Sequence, residues 1–424
     1  MASFLNANRF LQRSACLHPS FPFKAPRGFG KCTTRNLKQY YTPASGPYLR
    51  VSMTKAPQSL GLCSARGDSL ENQDRLSFGY LDKLKAPIYL NDEDAPVQSL
   101  GSKNSSETNF SKGSGLFGSF PNFDSPFVYG IFDGHGGVEC SEFLSNRLGH
   151  IIEKQDFSRA EELLQEARSL GGYMSSLEPP FSLASVLKSR DEDMIWRARL
   201  YYSFLEADLI YLKEHAKLSP DRAVPGAVGT VVVLTSKNNK SYWESDSYTI
   251  QLAHVGDTRA ILCDSRTGRA HRLTFQHNPA DFEESQRLRH YNVGFSSDSF
   301  GEKRYAWVAN TRSFGDGLKL KKLGVVAEPQ LTSIHSLKDD WSFLTLLSDG
   351  VTQVVSDDEV VDIIKLSESP QDAANNIIRY AQNVGSVDDI TCLVIRLPGW
   401  KKRTMNDFTK NLRLEKSFYV PRRS

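Results

Sequence analysis

No aspartate or glutamate occurs in this 424-residue chain before Asp68, although ten Lys or Arg fall in the same stretch. A start this free of acid is the composition of an organelle transit peptide, provided it can form an amphipathic helix. It can: Phe4, Ala7, Phe10, Leu11 and Leu17 share one broad side of a helical wheel, opposite Arg9 and Arg13. A disordered basic arm is the other reading. No compact apolar stretch follows the first arginines, which argues against a secretory signal. Long apolar runs are missing too; none approaches the ~18 residues that a membrane-spanning helix needs. Cysteine is scarce, with six in all and no CxxC pair or ligand spacing, so reduced structural thiols are expected and neither a disulfide framework nor a zinc site. A basic surface is lacking where a nucleic-acid partner would require it. Beyond residue 67 there are 42 basic against 49 acidic residues, and residues 68–400 alone stand at −13. The formal charge of +3 describes the two ends of the chain, not its centre.

What is present reads as one globular body. The chain divides into a mitochondrial presequence and linker over 1–50, a body over 51–400, and a basic tail over 401–424, with the matrix as the expected destination. From Asn91 to Pro126 the composition turns to Ser, Gly, Asn and Pro, which reads as a disordered insertion. Strands are expected at Arg75–Leu81, Phe127–Phe132, Thr230–Thr235, Tyr248–Val255, Ala260–Asp264, Ala270–Leu273, Phe343–Leu347 and Ile390–Leu397. Helical spacing marks Glu139–Gln155, Met194–Lys217, Glu359–Leu366 with Ser356 as its cap, and Gln371–Asn383. Strands grouped in hairpins, with helices paired between them, argue for an α+β layered domain and against alternating βαβ units.

Carboxylates at strand ends carry the chemistry. Phe132-Asp133-Gly134-His135-Gly136-Gly137 follows one apolar strand, and Leu347-Ser348-Asp349-Gly350 follows another. Gly385-Ser386-Val387-Asp388-Asp389 precedes a third, and Asp74 opens an early one. Aspartates at strand mouths beside glycines suit a hard divalent cation, because Mg²⁺ and Mn²⁺ prefer oxygen donors. Any single Asp-Gly pair is more often turn chemistry, and Asp257 is read that way.

The motifs resemble the protein phosphatase 2C (PPM) family. Val128–Gly137, VYGIFDGHGG, is similar to its signature nearly residue for residue, and further elements follow in the family's order. They are Val228–Val231, Ala253–Ala260 (AHVGDTRA), Leu273–Pro279 (LTFQHNP), Val308–Asp316 (VANTRSFGD), Leu347–Val351 (LSDGV) and Gly385–Thr391 (GSVDDIT). The resemblance spans Leu60 to Gly399. It implies two packed antiparallel β-sheets, a β-sandwich, flanked by α-helices. It also implies two Mg²⁺ or Mn²⁺ ions at one end, with Asp133 bridging them and the Gly134 carbonyl on one. Asp349 and Asp388 would complete the other sphere, and Asp74 would act through water. The implied activity is hydrolysis of phosphoserine and phosphothreonine in phosphoproteins by direct attack of an activated water, with His135 as general acid. A mitochondrial member of a fungal type would act on a matrix protein such as pyruvate dehydrogenase. A catalytically weak phosphatase-fold adaptor is the alternative, and it expects loss of Asp133, Asp349 or Asp388; all three are present. Some positions depart from the pattern. Gln73 stands where many members have Glu, Asp389 replaces an Asn, and Ser69 stands at the phosphate-binding arginine's place. Arg66 is the nearest upstream substitute. Arg312 is read as a structural ion-pair partner, and His254, at the family's Asn position, as a residue that supports the site from behind.

Overall fold

The computed structural model describes residues 59–81, 126–171, 186, 191–218, 224–236, 241–291, 293–298, 301, 303–400 and 406–419. The expected presequence over 1–50 lies outside the described residues, as does the insertion of 91–126 apart from Pro126.

Runs such as Thr230-Val231-Val232-Val233-Leu234 combine β-branched side chains with burial on both faces, which suits the interior strand of a layered fold. Thirteen described strands result. They are β1 (Leu60–Ala65), β2 (Arg75–Tyr80), β3 (Phe127–His135), β4 (Gly226–Ser236), β5 (Ser247–Val255), β6 (Arg259–Asp264) and β7 (Ala270–Arg272). The chain continues with β8 (Phe295–Ser297), β9 (Lys303–Tyr305), β10 (Phe314–Gly315), β11 (Gln330–Leu337), β12 (Trp341–Leu347) and β13 (Ile390–Arg396). The described α-helices are α1 (Glu139–Lys154), α2 (Ala160–Ser169), α3 (Glu192–Leu218), α4 (Phe282–Leu288), α5 (Gly317–Lys322), α6 (Asp349–Thr352), α7 (Asp357–Leu366), α8 (Pro370–Asn383) and α9 (Lys410–Tyr419). Among the described residues no helix is long and apolar enough to cross a membrane.

One sheet has the order β1-β13-β12-β6-β7 and the other β11-β5-β4-β3-β2, with β10 added beside β4. Every pairing within them is antiparallel. Their inner faces share one core, in which Tyr129, Ile131, Val232, Leu234 and Leu252 meet Leu262, Leu344, Leu346, Leu393 and Ile395. The outer face of the second sheet (Phe132, Val231, Val233, Val255) packs on Leu144, Leu148 and Ile152 of α1 and on Leu200 and Phe204 of α3. Alternate β4 residues thus serve two different cores. The outer face of the first sheet is covered by α7 and α8 through Val360, Val361, Ile364, Ala373, Ile377 and Ile378. The architecture is a β-sandwich between helical layers, as the α+β expectation had it.

Most expected elements are present with ends moved by a few residues. The α7 cap is a full capping box, in which the Ser356 and Glu359 side chains each bond the other's backbone. Among the described elements, β1, the short strands β8, β9 and β10, the edge strand β11 and the helices α2, α4, α5, α6 and α9 have no counterpart in the sequence expectations. Cys140, Cys263 and Cys392 are free and buried as expected, whereas Cys63 is disulfide-bonded and departs from it.

Candidate metal centre and catalytic site

Antiparallel register brings the acidic turns to one end of the sandwich. Asp133 lies opposite Val228 near the start of β4, and Arg75, next to Asp74, lies opposite Phe132. In the other sheet Leu347, just before Asp349, pairs with Cys392, just after the Asp388-Asp389 turn. Asp257 occupies the turn from β5 to β6, and Arg259 pairs with Leu347. The two sheets therefore deliver five carboxylates to one cleft. Asp74 is buried, Asp133, Asp257 and Asp349 are half-buried, and Asp388 is exposed at the rim. Gly350 makes the convergence of the last two motifs possible, since a Cβ there would stand 2.1 Å from the Asp389 carbonyl oxygen.

These acids feel one another. Burial, then hydrogen bonds from Thr391 and Ser348 that work against it, then the charges of Asp389 and Asp388 leave Asp74 pushed up to about 7. Those two hydroxyls lie near it, yet neither carboxylate oxygen of Asp74 has a partner of ordinary hydrogen-bond geometry. Asp133 is raised well above the carboxylate range by burial, then by Asp74, Asp349, Asp257 and Asp388. Asp349 is raised likewise by burial, then by Asp257 and Asp388, and its carboxyl shares a hydrogen bond with Asp133. Asp257 is raised by burial, with an Asn310 hydrogen bond and the charge of His135 opposing. Among the described residues no three acid, His or Cys side chains form a ready-made ion cage.

The loop before β2 is tied to the third motif by Asp389, whose two oxygens accept from the Gly67 and Gln73 N–H groups at 2.8 and 2.7 Å. An amide in its place would turn an NH2 donor towards one of these two N–H groups, so the departure from Asn suits this loop. The Gln73 side-chain oxygen accepts from the Gly137 N–H at 3.2 Å, and its carbonyl accepts from the Ser141 hydroxyl at 2.6 Å. Gly134 sits with its α-carbon against that carbonyl and hydroxyl. Arg66 is exposed, one residue from Gly67, and donates from Nη1 to the Leu70 carbonyl at 2.7 Å.

His135 Nε2 stands 2.7 Å from Asp316 Oδ1. Burial works to lower the imidazole, but the charge and hydrogen bond of Asp316 outweigh it, and the net shift is upward. Arg312 grips Glu284 through Nε and Nη2 at 2.9 and 2.6 Å, the structural role expected of it. His254 is buried behind the Asp257 turn. Its Nε2 donates to the Gly256 and Phe275 carbonyls, each at 3.0 Å, and its Nδ1 accepts from the Thr230 hydroxyl at 2.8 Å. Burial brings it down to about 4, so it stays neutral. His277, stacked on it at 5.0 Å between ring centroids, accepts from the Gly256 N–H.

Asp74, Asp133, Gly134, His135, Asp349 and Asp388 are thus gathered at one cleft, with Arg66 on a neighbouring loop. Two members were missed by the sequence reading. Asp257 reads in the sequence as turn chemistry, and Asp316 has no motif of its own to mark it. A cue to Asp316 did exist. That cue is only its place between two glycines; the fold then holds all three residues of Gly315-Asp316-Gly317 at positive φ, 73°, 62° and 75°.

The family model for protein phosphatase 2C matches residues 103–390. The chain is 71% identical over 390 residues to protein phosphatase 2C homolog 4 of Schizosaccharomyces pombe, covering 92% of this chain and 93% of that one. It is 28% identical over 282 residues to the mitochondrial protein phosphatase 1K of Xenopus laevis, covering 66% and 63%. Among solved structures, a serine-threonine phosphatase 2C from Toxoplasma gondii superposes with a TM-score of 0.52 at 15% identity, over 80% of this chain and 94% of that one. That last likeness is one of fold.

Proposed function

The chain belongs to the protein phosphatase 2C family and is a metal-dependent protein serine/threonine phosphatase; from that premise we propose that Asp133, Gly134, Asp349, Asp388 and Asp74 hold two Mg²⁺ or Mn²⁺ ions, and that the substrate is a phosphoprotein of the mitochondrial matrix. One observation carries the metal assignment. The charges that raise Asp74, Asp133 and Asp349 are those of other carboxylates, and both oxygens of Asp74 lack a partner although the side chain is buried. Such a group is satisfied by cations, and its oxygen-only donors suit hard ones. Asp133, the Gly134 carbonyl, Asp349 and Asp388 would hold the ions directly, with the buried Asp74 supporting them. When bound, such ions supply an acidified water as nucleophile and a positive clamp on the phosphoryl oxygens.

The remaining steps belong to the chain's own side chains. His135 gives the departing serine or threonine oxygen its proton. With Nε2 engaged by Asp316, Nδ1 is the nitrogen that donates. Asp316 favours the charged imidazole and so keeps that proton in place near neutral pH. Arg66 has N–H groups beyond the one bound to Leu70 and offers them to the phosphate. Matrix location rests on the acid-free N-terminus, and pyruvate dehydrogenase is the first substrate to try.

Purified protein lacking residues 1–50 is expected to hydrolyse a phosphoserine peptide only with millimolar Mg²⁺ or Mn²⁺ present. Full activity in EDTA would sink the metal assignment. Imaging of the tagged chain with and without residues 1–50 tests the destination, and phosphoproteomics of mitochondria lacking the protein tests the substrate.

A further inference from the structure

Asp316 meets His135 from a backbone conformation that needs support. It is a non-glycine residue at φ 62°, between two glycines that also have positive φ. The support comes from beneath. Lys321 of α5 and Asp208 of α3 form an ion pair at 2.9 Å with side chains 0% and 1% exposed. Lys321 Nζ also donates to the Ser313 carbonyl at 2.8 Å, and Asp208 Oδ1 accepts from the Gly315 N–H at 2.7 Å. The two charges therefore grip the backbone at two points just before Asp316. The Ser313 hydroxyl in turn donates to Asp316 Oδ2. On the other side the space is kept clear by Gly226, which pairs with His135; a Cβ there would stand 2.4 Å from both His135 Nε2 and Asp316 Oδ1.

A buried ion pair is a weak source of stability, because removing two charges from water offsets most of their attraction, and apolar isosteres often serve as well. Apolar side chains could not, however, hold a carbonyl and an N–H at fixed points. We infer that Asp316 is the positioning residue for His135, and that the buried Asp208–Lys321 pair is the mount that fixes Asp316. Neither charge of the mount touches substrate; each acts through the Ser313–Gly317 turn. The inference rests on His135 being the proton donor.

That dependence sets the test. A serine alkoxide needs a proton to leave and p-nitrophenolate does not, so loss of a general acid lowers kcat on a phosphoserine peptide far more than on p-nitrophenyl phosphate. His135→Gln gives the reference contrast, measured at saturating Mg²⁺. Asp316→Asn and the double variant Asp208→Leu/Lys321→Met are expected to show the same contrast in part. The peptide kcat should fall roughly 10-fold or more, within the ~10²–10⁴ that general acids supply. The peptide KM and the p-nitrophenyl phosphate rate should change less than about threefold. Single removal of either charge strands the other, so the neutral pair is used. If it does not fold, Lys321→Arg replaces it, keeping the charge while displacing the donor from the Ser313 carbonyl. Gly226→Ala, which wedges the dyad without altering a charge, should reproduce the contrast. Folded variants that lose both activities equally, or lose neither, overturn the inference while His135→Gln still shows its contrast. Absence of contrast in His135→Gln itself overturns the proton-donor reading, and this inference with it.

Discussion

Asp349 shows how one side chain can serve function against stability. Its carboxyl is raised by burial and by Asp257 and Asp388, so the folded chain bears a repulsion that the unfolded chain does not. Asp349→Asn is expected to abolish turnover and, in EDTA, to raise the melting temperature of the folded protein. Calorimetry with and without Mg²⁺ checks both halves; near-normal activity would mean that the wrong carboxylate has been assigned. Asp133, Asp349 and Asp388 were legible in the sequence because each lies in a glycine-bearing motif at the end of an apolar strand. Asp257 and Asp316 were not. A turn aspartate looks the same whether it faces water or a neighbour, and only the closing of two sheets puts Asp257 beside Asp133 and Asp349. His135 was legible as a proton donor; what holds it was not, since Asp316 is 181 positions away.

At the scale of elements, legibility follows burial. Strands with both faces covered, such as β4 and β12, have long apolar runs and are legible in their centres, although β4 begins four residues before its expected start, at Gly226, and β12 two before its own, at Trp341. β11 lies at a sheet edge with most of its residues only half-buried, so it has no such run and was missed. α9 reads in sequence as part of a basic tail because its cations look solvated there. In the fold two of them turn inward: Arg413 binds Asp407 at 2.8 Å, and Lys416 binds Glu359 of α7 at 2.7 Å. Glu359 also completes the capping box with Ser356 and accepts from the Tyr380 hydroxyl at 2.8 Å. Ser356→Ala removes a cap from a helix that carries α9, and the expected cost is about 1 kcal/mol in a denaturant titration. A loss within error would show that Lys416 and Tyr380 hold Glu359 without the serine.

For the whole molecule, the site and its supporting histidines make opposite contributions to stability as pH changes. Asp74, raised to about 7 from an unfolded value of 3.8, binds its proton more tightly in the folded state. Its contribution is full at low pH and is lost as pH rises through 7. Metal-free protein should therefore be more stable at pH 6 than at pH 8, by about 1.4 kcal/mol from Asp74 alone. His254, lowered to about 4 from 6.5, acts the other way: its contribution is full above pH 6.5 and is lost as pH falls towards 4. Saturating Mg²⁺ keeps the acids ionised, so loaded protein should lose stability on acidification through that lower window. Melting temperatures from pH 8 to 4, with Mg²⁺ and with EDTA, check the two slopes; identical curves would refute the account. The sandwich itself was legible because strands of alternating or continuous apolar character recur in hairpins, whereas the order of strands across each sheet has no local signature. That order has a consequence during synthesis. β1 pairs with β13, its residue Leu60 lying opposite Ile395. On the ribosome the first strand waits without its partner until almost the entire sequence has been translated. The sheet edge stays open for that interval, and neither sheet alone carries all five acids, so a nascent chain has no complete active site while it is still being made.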